Sequence, residues 1–150
     1  MISVRGSRVD KHKIIKDKLG FLKYDIEYLE SMKERLKLLE EERELRGITY
    51  DDVGGGHTNT ISDITGETAV RIAEEEIDLK VRIKKKQAEI DHLERILASL
   101  PEDERQVIVM FYCKNHMYWK IAEQVGCSIS TVKRLRRKGF EKLRVGIFGS

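Results

Sequence analysis

The sequence predicts an all-α protein: two long coiled-coil-like helices followed by a C-terminal helix-turn-helix domain. Three observations lead there. Apolar residues recur in alternating steps of three and four over two long stretches. A single proline and 37% charged residues accompany 40% hydrophobic ones, the balance of long helices with solvated flanks. Near the C-terminus Ala122, Gly126 and Ser128 place a small residue, a turn residue and a capping hydroxyl in helix-turn-helix register. The expected division is a helical oligomerisation region over 1–99, with a Gly-rich loop at 47–65, and a DNA-binding domain over 100–150.

The first helix is predicted from about residue 8 to residue 46. Its seam is Ile15, Leu19, Leu22, Ile26, Leu29 and Leu36, with Lys33 in one slot and Met32 and Leu39 widening the stripe. Arg46 and Gly47 supply a C-terminal cation and a stop. In the segment "DDVGGGHTNTISDITGETAV" (51–70) three glycines precede a histidine, hydroxyls and an aspartate. It lacks the GK[ST] ending of a phosphate loop and no strand precedes it, so it reads as a hinge. Asp63 or Thr65 is expected to cap the second helix, which runs to about Ser99. That seam is Ala69, Ile72, Leu79, Ile83, Ile90, Leu93, Leu97 and Leu100, with Glu76 and Lys86 as polar slots. Neither helix buries its stripe alone, so a hairpin that also forms a homo-oligomer is expected.

Pro101 ends the second helix and opens another, with acidic residues in its first turn and Val107, Ile108, Phe111 and Tyr112 on its apolar face. Ile121 and Ala122 lie on the first motif helix and Gly126 in the turn, where glycine tolerates a positive φ. Val125 and Cys127 point inward, and Ser128 caps the second motif helix, whose inward face is Val132, Leu135, Phe140 and Leu143. Trp119 is expected to pack against Phe111 and Tyr112 rather than on DNA phosphate.

Charge follows the same division. Residues 100–150 hold ten Lys/Arg against five Asp/Glu, a net +5; the first 99 hold nineteen against twenty-one, a net −2. A polyanion therefore has its docking site at the C-terminal end. The outward face of the second motif helix carries Ser130, Thr131, Lys133, Arg134, Arg137 and Lys138, suited to the major groove, with Ser128 at its cap. Arg136 and Lys120 are assigned to the DNA backbone. "KRLRRK" alone reads equally well as a basic surface helix; within the helix-turn-helix register it reads as a recognition helix.

The segment "LPEDERQVIVMFYCKNHMYWKIAEQVGCSISTVKRLRRKGFEKLR" resembles region four of bacterial sigma factors, through "LP..ER.V", "KIAEQVGCS" and "STVKRLRRK...KLR". The whole chain is similar to the RinA/ArpU-type transcriptional regulators of phages of Gram-positive bacteria, in which an "SDPT"-like element opens the middle helix; here it is "SDIT" at 62–65. The resemblance implies a phage-encoded activator of late packaging and structural genes. It further implies binding to double-stranded DNA in the cytoplasm of the bacterial host, and contact with host RNA polymerase. A phage small terminase subunit is the alternative, since it also joins a helix-turn-helix to coiled helices. Such subunits usually place the DNA-binding unit first, whereas here it is last. An alternative sigma factor ranks third, because no promoter-melting region with exposed aromatics is recognisable.

No catalytic set is expected. His12, His57, His92 and His116 are scattered away from metal-ligand spacing, apart from a weak Asp63–His57 pair. Cys113 and Cys127 form neither a CxxC pair nor a cluster with histidines, which suits reduced cytosolic thiols. No enzyme, cofactor or metal is expected, and no apolar run approaches a membrane span.

Overall fold

The computed structural model describes residues 10–47 and 60–149, and among these every regular element is helical. In chain order they are α1 (Lys11–Gly20), α2 (Leu22–Leu45), α3 (Thr60–Ala98), α4 (Glu102–Ile108), a π-helical turn (Val109–Cys113), α5 (Tyr118–Val125) and α6 (Ile129–Phe148). The all-α class with a C-terminal helix-turn-helix is as the sequence predicts. Two boundaries differ. The first predicted helix is interrupted at Phe21, whose φ of −95° and ψ of 0° separate α1 from α2. α3 starts at Thr60, so Asp63 and Thr65 lie inside the helix rather than at its cap. The glycines at 54–56 and His57 lie outside the described residues, as does the Asp63–His57 pair.

Contacts divide the chain into two compact units, one of residues up to Asp25 together with those from Ile90 onward, the other Ile26–Glu89. In the second unit α2 and α3 pair antiparallel. Arg43 meets Glu76 at 3.0 Å and Lys33 meets Gln87 at 3.1 Å, so the partner number rises as the first falls. Leu29, Met32 and Leu39 are buried on α2, and Ala69, Ile72, Ala73 and Leu79 on α3. The stripe on α2 thus joins Leu29 of the predicted seam to Met32 and Leu39, expected only to widen it, while Ile26 is 37% exposed.

Each polar slot of the two seams has a partner. Lys33 reaches Gln87, and Lys86 pairs with Glu89 at 3.3 Å. Glu76 is fully buried against Arg43. A carboxylate without water requires its cation, so this pair selects the register that supplies one.

The first unit is built around one apolar cluster. Ile15 and Leu19 of α1, Leu93 and Leu97 of α3, Leu100, Ile108 of α4, Tyr112, and Phe140 and Leu143 of α6 are all buried together. The last third of the predicted α3 seam is therefore covered by the C-terminal helices. α1 joins them, with the His12 ring 4.5 Å from Phe140 and Lys11 5.4 Å from the Phe148 ring centroid.

Two glycines let α6 approach its neighbours. A Cβ at Gly139 would lie 2.8 Å from Ile108 Cγ1, and one at Gly146 would lie 2.8 Å from Ile96 Cγ2. Beside the first crossing the Glu104 carboxylate, 4% exposed, accepts hydrogen bonds from Lys142 at 2.8 and 3.1 Å. The branched Ile108 cannot swing away from an added methyl without leaving the core. Gly139→Ala is therefore expected to destabilise the protein by about 1–3 kcal/mol, measured by urea unfolding, despite its better helix propensity.

Candidate nucleic-acid interface

The helix-turn-helix is assembled as its residue types require. α5 ends at Gly126, whose φ of 80° is left-handed and whose N–H donates to the Ala122 carbonyl. The Cys127 N–H returns to the same carbonyl at 3.1 Å, closing the turn. Ser128 caps α6: its Oγ accepts from the Thr131 N–H at 3.2 Å and lies 2.9 Å from Thr131 Oγ1. Beneath the turn Val107, Ile121, Ala122, Val132 and Leu135 are buried together, with Val125 and Cys127 packed against them. Gly126, Val125, Cys127 and Ser128 therefore occupy the places the sequence assigns to them.

α6 is two-faced. Val132, Leu135, Gly139, Phe140 and Leu143 are buried, and Ser130, Lys133, Arg134, Arg137 and Lys138 are exposed. With 3.6 residues per turn, the four cations form one stripe over the first three turns, opposite the buried one. Lys120, near the start of α5, is also exposed. The next outward position is Glu141, and it is bridged by Arg144. The Arg144 guanidinium holds the Glu141 carboxyl below the usual range, so the acid stays charged and paired. The positive stripe thus ends at Lys138.

Arg136 and Trp119 lie elsewhere than the sequence predicts. Arg136, expected at the DNA backbone, instead turns inward: its Nη1 donates to Tyr112 Oη at 2.9 Å and its guanidinium lies 5.2 Å from Phe111 and 5.9 Å from Tyr118. The reason is positional. Residue 136 is four after Val132 and seven before Leu143, so it falls on the inward stripe, where a cation needs aromatic faces and an acceptor.

Trp119 does not pack on Phe111 and Tyr112. It is 58% exposed, and its Nε1 donates to Met117 Sδ at 3.4 Å. Tyr118 takes the interior position, stacked on Phe111 at 4.9 Å and 18°. Tyr118 lies three and four residues before Ile121 and Ala122, whereas Trp119 is rotated about 100° from it. That spacing was available in the sequence and could have identified Tyr118. Lys133 also lies over Tyr118, 5.4 Å from its centroid, so this ring steadies the base of the cationic stripe.

The hydroxyls of Ser128 and Thr131 are engaged in the cap, which leaves Ser130 as the exposed hydroxyl of the first turn. At the entry to α5 the backbone turns through Asn115, at φ 55°, and His116. Desolvation, with Lys120 and Lys114 nearby, holds the His116 imidazole below its ordinary value. The surface near Lys114 and Lys120 therefore carries its positive charge on lysine rather than histidine at neutral pH.

A recognition helix with cations outward over its first turns, capped by serine and reached through a left-handed glycine, is the geometry of a DNA-reading module. Residues 96–145 match the family model for sigma-70, region 4. This segment is a sigma region 4-like helix-turn-helix, a DNA-binding domain. Comparison with curated proteins and with solved structures gave no match.

The match begins inside α3, at residue 96, and ends inside α6. It therefore takes in the end of α3 that carries Leu97 and continues into the Leu100–Pro101 break. No helix among the described residues is long and apolar enough to cross a membrane.

Arg136→Met is expected to cost about 1–3 kcal/mol of stability by removing the Tyr112 bond and the aromatic contacts. Chemical unfolding measures that cost. The salt dependence of DNA binding by the folded variant should be unchanged, because Arg136 neutralises no phosphate.

Proposed function

We propose that the protein is a sequence-specific double-stranded DNA-binding transcriptional regulator, encoded by a phage and activating its late packaging and structural genes. The observation that carries the reading is the stripe of Lys133, Arg134, Arg137 and Lys138 on the exposed face of a sigma region 4-like recognition helix. The first turns of α6 enter the major groove. There Arg134 and Arg137 donate to guanine edges, while Lys133, Lys138 and Lys120 neutralise phosphates. Ser130 hydrogen-bonds a base or phosphate at the helix entry.

The chain acts by binding, without catalysis and without a cofactor. Sigma region four sits beside RNA polymerase at promoters, and the likeness supports contact between this regulator and the host polymerase. The match to a transcription module favours this reading over a small terminase subunit.

Footprinting on the phage genome segment beside the packaging genes tests the function, with and without RNA polymerase. Protection just upstream of a promoter, with stimulated transcription, is the expected result; a protein that protects no site there overturns the reading. At the residue level, Arg134→Ala or Arg137→Ala should weaken specific binding by about 1–3 kcal/mol and relax preference at one base pair. Lys138→Ala should instead weaken binding to all sequences alike and reduce the salt slope by about 0.9. Titration of labelled duplexes at several salt concentrations separates the two classes.

A further inference from the structure

α3 carries a second heptad stripe that its own hairpin does not cover. Val70, Glu74, Ile77, Val81, Lys84 and Ala88 follow one another in steps of four and three. The buried seam of the same helix runs through Ala69, Ile72, Glu76 and Leu79. At about 100° per residue the two stripes lie roughly 140° apart, so the second faces away from α2. Its apolar members are open to solvent: Val70 is 36% exposed, Ile77 58% and Val81 62%. Glu74, Lys84 and Ala88 are exposed with them. Three apolar side chains at seam spacing on an exposed helix face are a contact surface in want of a partner.

The order of charges along the stripe identifies the partner. The sequence is pseudo-symmetric about Leu79 with reversed sign: Ile77 and Val81 stand two positions to either side, Glu74 and Lys84 five, and Val70 and Ala88 nine. In antiparallel seams each first-position residue meets a fourth-position residue of the other helix. A second copy of α3 laid antiparallel, with its dyad at Leu79, therefore places Ile77 on Val81, Val70 on Ala88 and Glu74 on Lys84. Every contact is made twice. A parallel copy would instead set Glu74 against Glu74 and Lys84 against Lys84, which repel. The next pair outward in the antiparallel arrangement is Glu67 with Asp91, both acidic. The contact is thus confined to residues 70–88, about 27 Å of helix.

We infer that the exposed Val70–Ala88 stripe of α3 is a self-association surface, on which a second copy of this chain binds antiparallel about Leu79. An interface of this length is small, so the dimer is weak and forms at high protein concentration. The inference does not rest on the DNA reading and is tested without DNA.

The full-length protein at about 100 μM is examined by sedimentation equilibrium, as wild type, Glu74→Lys, Lys84→Glu, their double variant and an equimolar mixture of the two single variants. All the substituted positions are exposed, and circular dichroism confirms that each variant keeps its helices. The wild type should dimerise. Each single variant places like charges opposite one another twice and should dimerise about tenfold more weakly. The mixture restores both opposite-charge contacts and should recover wild-type affinity, as should the double variant. Ile77→Lys should abolish the dimer. A wild-type monomer at this concentration, or an assembly indifferent to Glu74→Lys and to Ile77→Lys, overturns the inference.

Discussion

Lys133, Arg134, Arg137 and Lys138 can share one exposed face because the opposite face of α6 is held in a close crossing with α4. The crossing depends on Gly139, which lets the Ile108 side chain lie against the α6 backbone. Val132, Leu135, Phe140 and Leu143 then bury against Val107, Ile108, Ile121 and Tyr112. Four like charges on adjacent turns repel one another, and a helix bearing them gains little stability from its own surface. Burial of the opposite stripe supplies what the charged face lacks. The same burial sets which side chains are offered to a groove, so the reading surface depends directly on core packing.

Arg136 shows how closely the two are coupled. It is one of five cations within six residues, and nothing in its chemistry distinguishes it from Arg137. A rotation of about 100° places Arg136 among Phe111, Tyr112 and Tyr118 while Arg137 faces solvent. Guanidinium suits the inner position because it is planar, can lie against rings and still donates to the tyrosine hydroxyl. A lysine there would bring a more strongly hydrated charge into the same space. Tyr118 serves both faces, stacking on Phe111 beneath and meeting Lys133 at the edge of the cationic stripe.

The helical half follows a different rule. The antiparallel pairing of α2 and α3 contains a fully buried glutamate, and its arginine partner constrains register more sharply than leucines would. Leucine stripes tolerate a slip by one heptad; a carboxylate with no water does not. The exposed stripe on the far side of α3 uses charge in another way, as an arrangement of signs that distinguishes one orientation of a partner from another.

Much of this was legible in the residues themselves. Heptad spacing, Pro101, the Gly126 turn and the Ser128 cap are local signals, set by helix period, a missing donor, a positive φ and a capping hydroxyl, and they define the all-α class and the helix-turn-helix without tertiary knowledge. The outward cations Lys133, Arg134, Arg137 and Lys138 were legible for the same reason. Other features depended on which surfaces meet. The α3 seam is one unbroken pattern, yet its Ala69–Leu79 part lies in one unit with α2 and its Leu93–Leu100 part in another with α1, α4 and α6. Periodicity states that a stripe must be covered and is silent about what covers it. The inward turn of Arg136 and the exposure of Trp119 belong to the same class, because each is decided by a difference of about 100° in helical phase relative to neighbours distant in sequence.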